Sequence, residues 1–344
     1  MLKKAEVLFL RKERLFYLDF IRALSVLAIV VYHFSTTLSG LRIESFLSIP
    51  WNYANGNLST IGVSLFFSIS GAALMYSYND KFSLRQYFAK RFLSIYPIFW
   101  IAYIVAFLYL FYVNKTTAHV PNISFFLTIF GMDGYMLYSI PNYYILGEWF
   151  LGCIILLYLC FPVLRFFVLR YPIITFIAIL VLYLVFVENY VFKLGINRNF
   201  LTRIPELLIG MYFTQFIRKV KWYHFLIASI ITALMLFVKI DINQMYKVTI
   251  VGISVFFVLA YIAQFIRSNK IMGSIQVVSK YSFAVFLVHH VIMMQLAKQF
   301  KGMNLTTVET LSLLLITILI IVLFSLYLHK ISNKVILYAS SVTK

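Results

Sequence analysis

Long apolar runs recur along this chain, each close to the roughly 20 residues that a helix needs to cross the hydrocarbon core of a bilayer. Ten can be read: 18–38, 60–78, 95–112, 146–169, 172–192, 202–218, 223–240, 246–266, 279–300 and 308–330, with 202–218 and 223–240 short. Only 12% of the 344 residues are charged and 62% are hydrophobic, whereas a soluble domain is about one-quarter charged. The sequence predicts an all-α, polytopic membrane protein of about ten transmembrane helices. It forms a single integral-membrane domain over 1–344, with 1–17 a cytoplasmic N-terminal segment and 331–344 a cytoplasmic tail. The first 17 residues are too charged for a cleavable signal, and no small-residue cleavage site follows the first span.

A net charge of +19 would point to nucleic acid in a soluble protein. Here the cations sit in short connections between spans, where they set orientation. With the N-terminus inside, the cytoplasmic segments hold 20 Lys and Arg, the outer segments hold 9, and Arg22 completes the 30. That split predicts N-in and C-in. No partnership with nucleic acid is expected. The long outer segment 113–145 carries Pro121, Gly131, Gly134 and Pro141 around an apolar stretch, 123–130, too short to span. It reads as re-entrant or interfacial. No internal repeat is visible, which weighs against an inverted-repeat transporter. Cys153 and Cys160, seven apart in one apolar run, read as buried packing thiols.

The first span carries Asp19, Arg22 and His33. An Arg or Asp at a helix centre costs roughly 2.5–3.5 kcal/mol on insertion scales, so intramembrane ionisable groups call for a reason. Arg22 and His33 are about three turns apart, roughly 16 Å along the axis and within roughly 20° of one face. His33 is either a hydrogen-bonded packing residue or a proton acceptor, since imidazole titrates near neutral pH. Asp19 and Arg22, three apart, are either an interfacial ion pair or an orienting pair at a cytoplasmic vestibule. Ser25 and Ser35 read as structural.

Elsewhere, Ser64, Ser68, Gly71 and Ala72 make a small-residue face for close helix packing. Arg85, Lys90 and Arg91 precede the third span, with Pro97 at its start. They are either orientation anchors or a cluster for phosphates such as those of coenzyme A. Glu148, Arg203 and Glu206 fall at outer span ends, where a polar acceptor would arrive. His289 and His290 are adjacent in span nine, so at most one is expected to face a site. His119, His224 and His329 look incidental. No HExxH, CxxC, Walker loop or GxGxxG occurs, so no metal is expected.

Several segments together resemble the membrane-bound acyltransferase-3 family, bacterial O-acyltransferases of cell-surface polysaccharides. LDFIRALSVLAIVVYH matches its Arg-x10-His at Arg22 and His33. GVSLFFSISGAAL matches at Gly62, Val63, Phe66, Phe67, Ser70 and Gly71. KRFLSIYPIFW matches at Arg91, Tyr96, Pro97 and Trp100, and WFLGCIILLYLCFP at Trp149, Phe150, Leu151, Tyr158 and Pro162. RIPELLIG is similar to a weaker motif at Arg203 and Gly210. YSFAVFLVHH is similar to the late motif at Ser282, Phe283, Phe286, Leu287 and His289. The matches run in order from residue 18 to about 290. Three positions depart from the pattern: Ser94 replaces the second Arg of R-x-x-R, Ile154 stands where many members have Glu, and Phe286 replaces Tyr. The form without that Glu is similar to the short, stand-alone members, including those of exopolysaccharide synthesis.

The resemblance implies ten core spans in a bacterial cytoplasmic membrane. It implies cytoplasmic acyl-CoA, usually acetyl-CoA, as co-substrate with no bound cofactor, and a surface polysaccharide or lipid-linked glycan as acceptor. Polysaccharide-synthesis proteins would be neighbours. His33 would be catalytic with Arg22 its partner, and Arg91, Lys90 and Arg85 would meet the donor. Glu148, Arg203, Glu206 and His289 would stand on the acceptor side. Two rival readings remain. One is an exporter or flippase for polysaccharide or lipid, with Arg22 and His33 lining the pathway; the other is a scaffold for a polymer synthase.

Overall fold

The computed structural model describes residues 14–49, 51–117, 119–143 and 145–342. Lys3, Lys4, Arg11, Lys12 and Lys344, used above in the charge argument, lie outside the described residues. Helices carry nearly all the regular structure. In chain order they are α1 (Phe16–Gly40), α2 (Leu58–Tyr78), α3 (Leu84–Asn114), α4 (Ile123–Ile129), α5 (Asp133–Met136), α6 (Glu148–Arg170), α7 (Pro172–Glu188), α8 (Ile204–Tyr212), α9 (Trp222–Phe237), α10 (Gln244–Ile262), α11 (Asn269–Ala297) and α12 (Thr307–Val342). A hairpin pairing Asn52 with Asn57 and Tyr53 with Gly56 is the one sheet among the described residues. The all-α expectation holds.

Among the described residues seven helices are long and apolar enough to cross a membrane: α1, α2, α3, α6, α10 with its 3-10 extension, α11 and α12. Two further expected spans, α7 and α9, are apolar but shorter. The expected span 202–218 is composite: a 3-10 turn over Leu201–Arg203, then α8, then a π turn over Phe213–Ile217. Large apolar side chains face outward along α7, α9 and α12, among them Ile173, Leu182, Phe237, Leu315 and Tyr338. In water this would be a liability; against lipid it is the expected surface.

Local chemistry explains the helix ends. Asn57 caps α2 by accepting from the Thr60 N–H at 3.0 Å, and Asn243 caps α10 by accepting from Met245 N–H. Thr306 and Glu309 form a reciprocal cap at the start of α12. Pro172 opens α7, where its missing N–H costs nothing.

One expectation is corrected. The third helix begins at Leu84 rather than near residue 95, so Pro97 lies inside it and Arg85, Lys90 and Arg91 ride on the helix itself. Hydropathy misses this extension because it is half polar, but Leu, Arg, Gln, Ala and Lys are all good helix formers. Pro97 removes only the one bond to the carbonyl four residues back.

The core lies where α1 meets α2 and α11 and where α2 meets α8. Phe34, Phe67, Phe150, Leu151 and Leu287 are buried there. The small-residue face of α2 does what its spacing predicted. A Cβ on Gly71 would collide with the Leu207 carbonyl of α8, and one on Gly210 with the Ser68 carbonyl of α2. The two backbones touch, which is how helices associate where lipid offers no hydrophobic drive.

Candidate functional site

The two candidate residues of α1, Arg22 and His33, separate along it as the sequence requires. Arg22 belongs to a polar group near the helix start. It donates weakly to Ser279 Oγ of α11 at 3.4 Å, while Ser279 donates to Asp19 Oδ1 at 2.6 Å. The ion pair of Asp19 is with Arg14, not Arg22, which corrects the expected Asp19–Arg22 pair. Arg14 precedes the helix and can wrap to the buried carboxylate, whereas Arg22 points along the α11 seam through Ser279. Arg91 of α3 is half-buried, holds its guanidinium 5.7 Å from the Tyr158 ring centroid, and is within electrostatic reach of Arg22. Arg85 and Lys90 are exposed, with Lys90 5.9 Å from the Tyr78 ring centroid.

Three turns on from Arg22, His33 meets both histidines of α11. Ring centroids are 5.3 Å apart for His33 and His289, 4.1 Å for His33 and His290, and 4.6 Å for His289 and His290. The expectation that at most one of the pair faces a site is therefore corrected. Adjacent helical side chains diverge by roughly 100°, and here His33 enters the angle between them. Glu148, the first residue of α6, closes the cluster. Its Oε1 lies 2.8 Å from His290 Nε2 and 3.9 Å from His289 Nε2. The sequence places His289 and Glu148 on the acceptor side and offers His290 only as the alternative to His289. Only their convergence in space marks His290, since a vicinal pair on one helix gave no reason to choose both.

His33 is seven residues from the end of α1, roughly 10 Å in from that end. Glu148, the first residue of α6, meets His290 there. The segment before it carries the two short helices α4 and α5. Asp133 is its hub. It accepts from Thr128 Oγ1 at 3.0 Å and Tyr103 Oη at 3.1 Å, and its carbonyl accepts from Asn142 Nδ2 at 2.7 Å. Burial pushes the Asp133 carboxyl up, with the two hydroxyls pulling the other way. Trp100 of α3 donates to the Ile129 carbonyl at 2.9 Å, anchoring α4. Gly134 then packs directly on the Glu148 backbone. Gly147 has φ +91° and Glu148 itself φ +39°. For a non-glycine residue that left-handed conformation costs of order 1–3 kcal/mol and persists only where its surroundings impose it.

His289 is fully buried, and its Nδ1 lies 2.7 Å from the Phe286 carbonyl. A carbonyl only accepts, so Nδ1 carries the proton and Nε2 presents a lone pair to the cluster. The His290 side chain is 35% exposed and opens into a pocket of about 90 Å³ lined by Ile145, Leu146, Gly147, Glu148 and Leu287. Leu146 also lines a larger apolar groove of about 420 Å³ between α3, α11 and α12.

Arg203 and Glu206 lie apart from the histidines. They form a fully buried ion pair at 2.8 Å, joined by Ser64 of α2, which accepts from Arg203 at 3.1 Å. The guanidinium also stands 5.8 Å from the ring centroid of Trp149, the residue after Glu148. Ser25 and Ser35 spend their hydroxyls on the carbonyls of Ile21 and Ile49, and Cys153 and Cys160 are free thiols. His224 lies in the first turn of α9 against Tyr223, and His329, expected at a span end, lies inside α12 against Tyr281.

Comparison with known families supplies one match. The family model described as an acyltransferase domain, acyltransferase-3, matches residues 15–329. No curated protein and no solved structure matches the chain.

Proposed function

This chain belongs to the acyltransferase-3 family, and on that premise we propose that it moves an acyl group, acetyl in the first instance, from cytoplasmic acyl-CoA to a hydroxyl of a cell-surface polysaccharide or its lipid-linked precursor. It does so from a bacterial cytoplasmic membrane that it crosses ten times with both termini inside. Family membership makes it a membrane acyltransferase. The observation that carries the finer reading is the convergence of His33, His289, His290 and Glu148 on one recessed point, on the helix face that also bears Arg22.

His33 acts as general base. It takes the proton of the acceptor hydroxyl as the oxygen attacks the thioester carbonyl, the C–S bond breaks, and the departing coenzyme A thiolate receives a proton. General-base help of this kind is typically worth about 10²–10⁴-fold. Glu148 holds His290 against His33 and balances positive charge that develops on the imidazoles. Arg22, Arg91 and the exposed Lys90 and Arg85 receive the phosphates of the donor at the other end of α1. Glu148, His289, Arg203 and Glu206 are the acceptor-side residues, the last two by fixing Trp149 and the start of α6. The apolar groove that shares Leu146 with the His290 pocket supports the lipid-linked form of the acceptor.

The test is transfer of labelled acetyl from acetyl-CoA to surface glycan in membrane vesicles that contain the protein. If no acyl-CoA supports transfer while glycan export depends on the protein, the exporter reading replaces this one.

A further inference from the structure

The histidine cluster has a property that proton transfer does not require. One ligand nitrogen from each of His33, His289 and His290 lies within 4.8 Å of the other two. Glu148 Oε1 stands 2.8 Å from one of these histidines' Nε2 atoms and 3.9 Å from another's. In a tetrahedral zinc site with metal–nitrogen bonds of about 2.0–2.1 Å, donor atoms stand roughly 3.3 Å apart. The two carboxylate spacings bracket that edge, and the nitrogens need close by no more than about 1.5 Å to reach it.

A second observation is independent of these distances. The Nδ1–H of His289 is already committed to the Phe286 carbonyl. This arrangement fixes the tautomer and ring orientation of a metal-ligating histidine. It leaves the His289 Nε2 lone pair aimed into the cluster, fully buried and with no hydrogen-bond partner. His290 Nε2, close as it is to Glu148, also makes no well-formed hydrogen bond. Two buried nitrogens and a carboxylate thus converge without satisfying one another, as ligands do around a shared centre. The pocket beside His290 offers a way in.

We propose that His33, His289, His290 and Glu148 bind one divalent transition ion, Zn²⁺ being the best fit to three imidazoles and a carboxylate, and that the bound ion switches acyl transfer off. Binding rests on the geometry alone. Its consequence rests on the reading of His33 as base: ligation takes the lone pair that would accept the acceptor's proton, and no bond is made or broken in the substrate. Hard ions such as Mg²⁺, which prefer all-oxygen sites, do not compete.

The experiment uses the full chain, stripped with a chelator and placed in phosphatidylcholine nanodiscs, titrated with Co²⁺ and then Zn²⁺. Expected are the visible bands of four-coordinate cobalt, saturation at one ion per chain below about 10 µM free metal, and displacement by Zn²⁺. His290→Ala and Glu148→Gln each weaken binding about tenfold or more, while His224→Ala and His329→Ala bind as the unaltered chain does. Melting temperatures without metal establish that each variant is folded, and only wild type and the two control variants should gain stability with Zn²⁺. In the transfer assay Zn²⁺ should inhibit over the same concentrations, reversibly by chelator, and Mg²⁺ should not. Absence of saturable binding up to about 100 µM metal, or binding unchanged in folded His290→Ala and Glu148→Gln, overturns the site. Full transfer with the site occupied overturns the switch. If cobalt bands appear in wild type and vanish in His290→Ala while no acyl-CoA supports transfer, the site stands and the acyltransferase mechanism falls.

Discussion

Gly134→Ala should damage catalysis from a residue that touches no substrate. Gly134 lies in α5, against the backbone of Glu148. A Cβ there would stand 2.6 Å from Glu148 Cα and closer still to its carbonyl carbon. Ordinary contact begins near 3.4 Å, so one backbone must retreat by about 0.8 Å or more. α5 is held by the Asp133 contacts to Thr128, Tyr103 and Asn142. Glu148 already sits in a strained conformation at φ +39°, so it is the partner that yields. Its 2.8 Å contact with His290 then opens beyond hydrogen-bonding reach. Displacement of catalytic groups by roughly 1 Å can cost about 10²-fold. We therefore expect kcat for acetyl transfer to fall by about 10- to 10²-fold, with little change in the KM for acetyl-CoA, because the cations proposed to meet the donor sit at the other end of α1. Gly40→Ala and Gly273→Ala, where an added Cβ meets nothing within 4 Å, should be neutral and serve as controls. The assay is steady-state transfer in vesicles, normalised to folded protein by size-exclusion profile and melting temperature. A folded Gly134→Ala variant with kcat within about twofold of wild type would refute the positioning of Glu148 by α5.

Four further outcomes are expected. His33→Gln keeps bulk and hydrogen bonding but cannot accept and release a proton, so insertion should be normal and transfer should fall about 10²-fold or more; near-normal transfer would return His33 to a packing role. The Arg85, Lys90, Arg91 triple alanine variant should raise the acetyl-CoA requirement while inserting normally, and an unchanged requirement would reassign these residues to orientation alone. Arg203→Met or Glu206→Leu alone should destabilise by about 3–5 kcal/mol, because each leaves a buried charge unpaired, whereas the double substitution should recover most of the loss; thermal unfolding of purified protein compares them, and a double variant no better than either single one would contradict the pair. Single cysteines at positions 115 and 301 should be labelled from outside intact cells and those at 90 and 218 should not; labelling at 90 would sink the N-in arrangement.

What the sequence made legible follows from one-dimensional periodicity, and what it hid follows from helix ends and chain reversals. The Arg22–His33 stripe was visible because 3.6 residues per turn fixes relative direction on one helix without reference to anything else. The close approach of α2 to α8 was half visible, since Ser64, Ser68 and Gly71 announce a small face but not its partner; the match at Gly210 emerges only when the two backbones meet. The cationic turns ahead of Pro97 were misplaced because hydropathy marks where a span is apolar rather than where a helix begins. His290 was missed for a deeper reason. Its contact with Glu148 depends on where α6 begins, and Asp133, far in sequence from both histidines, braces the segment before that start through hydrogen bonds to α3 and α4. A carboxylate at the first turn of a span reads as interfacial until its contact with His290 is seen. α1 and α11 bring imidazoles along continuous helices, and the first residue of α6 brings the carboxylate to meet them. Ionisable groups inside a span are rare and mark candidate sites, and it is this convergence across three helices, not any single motif, that distinguishes a candidate site from three incidental histidines.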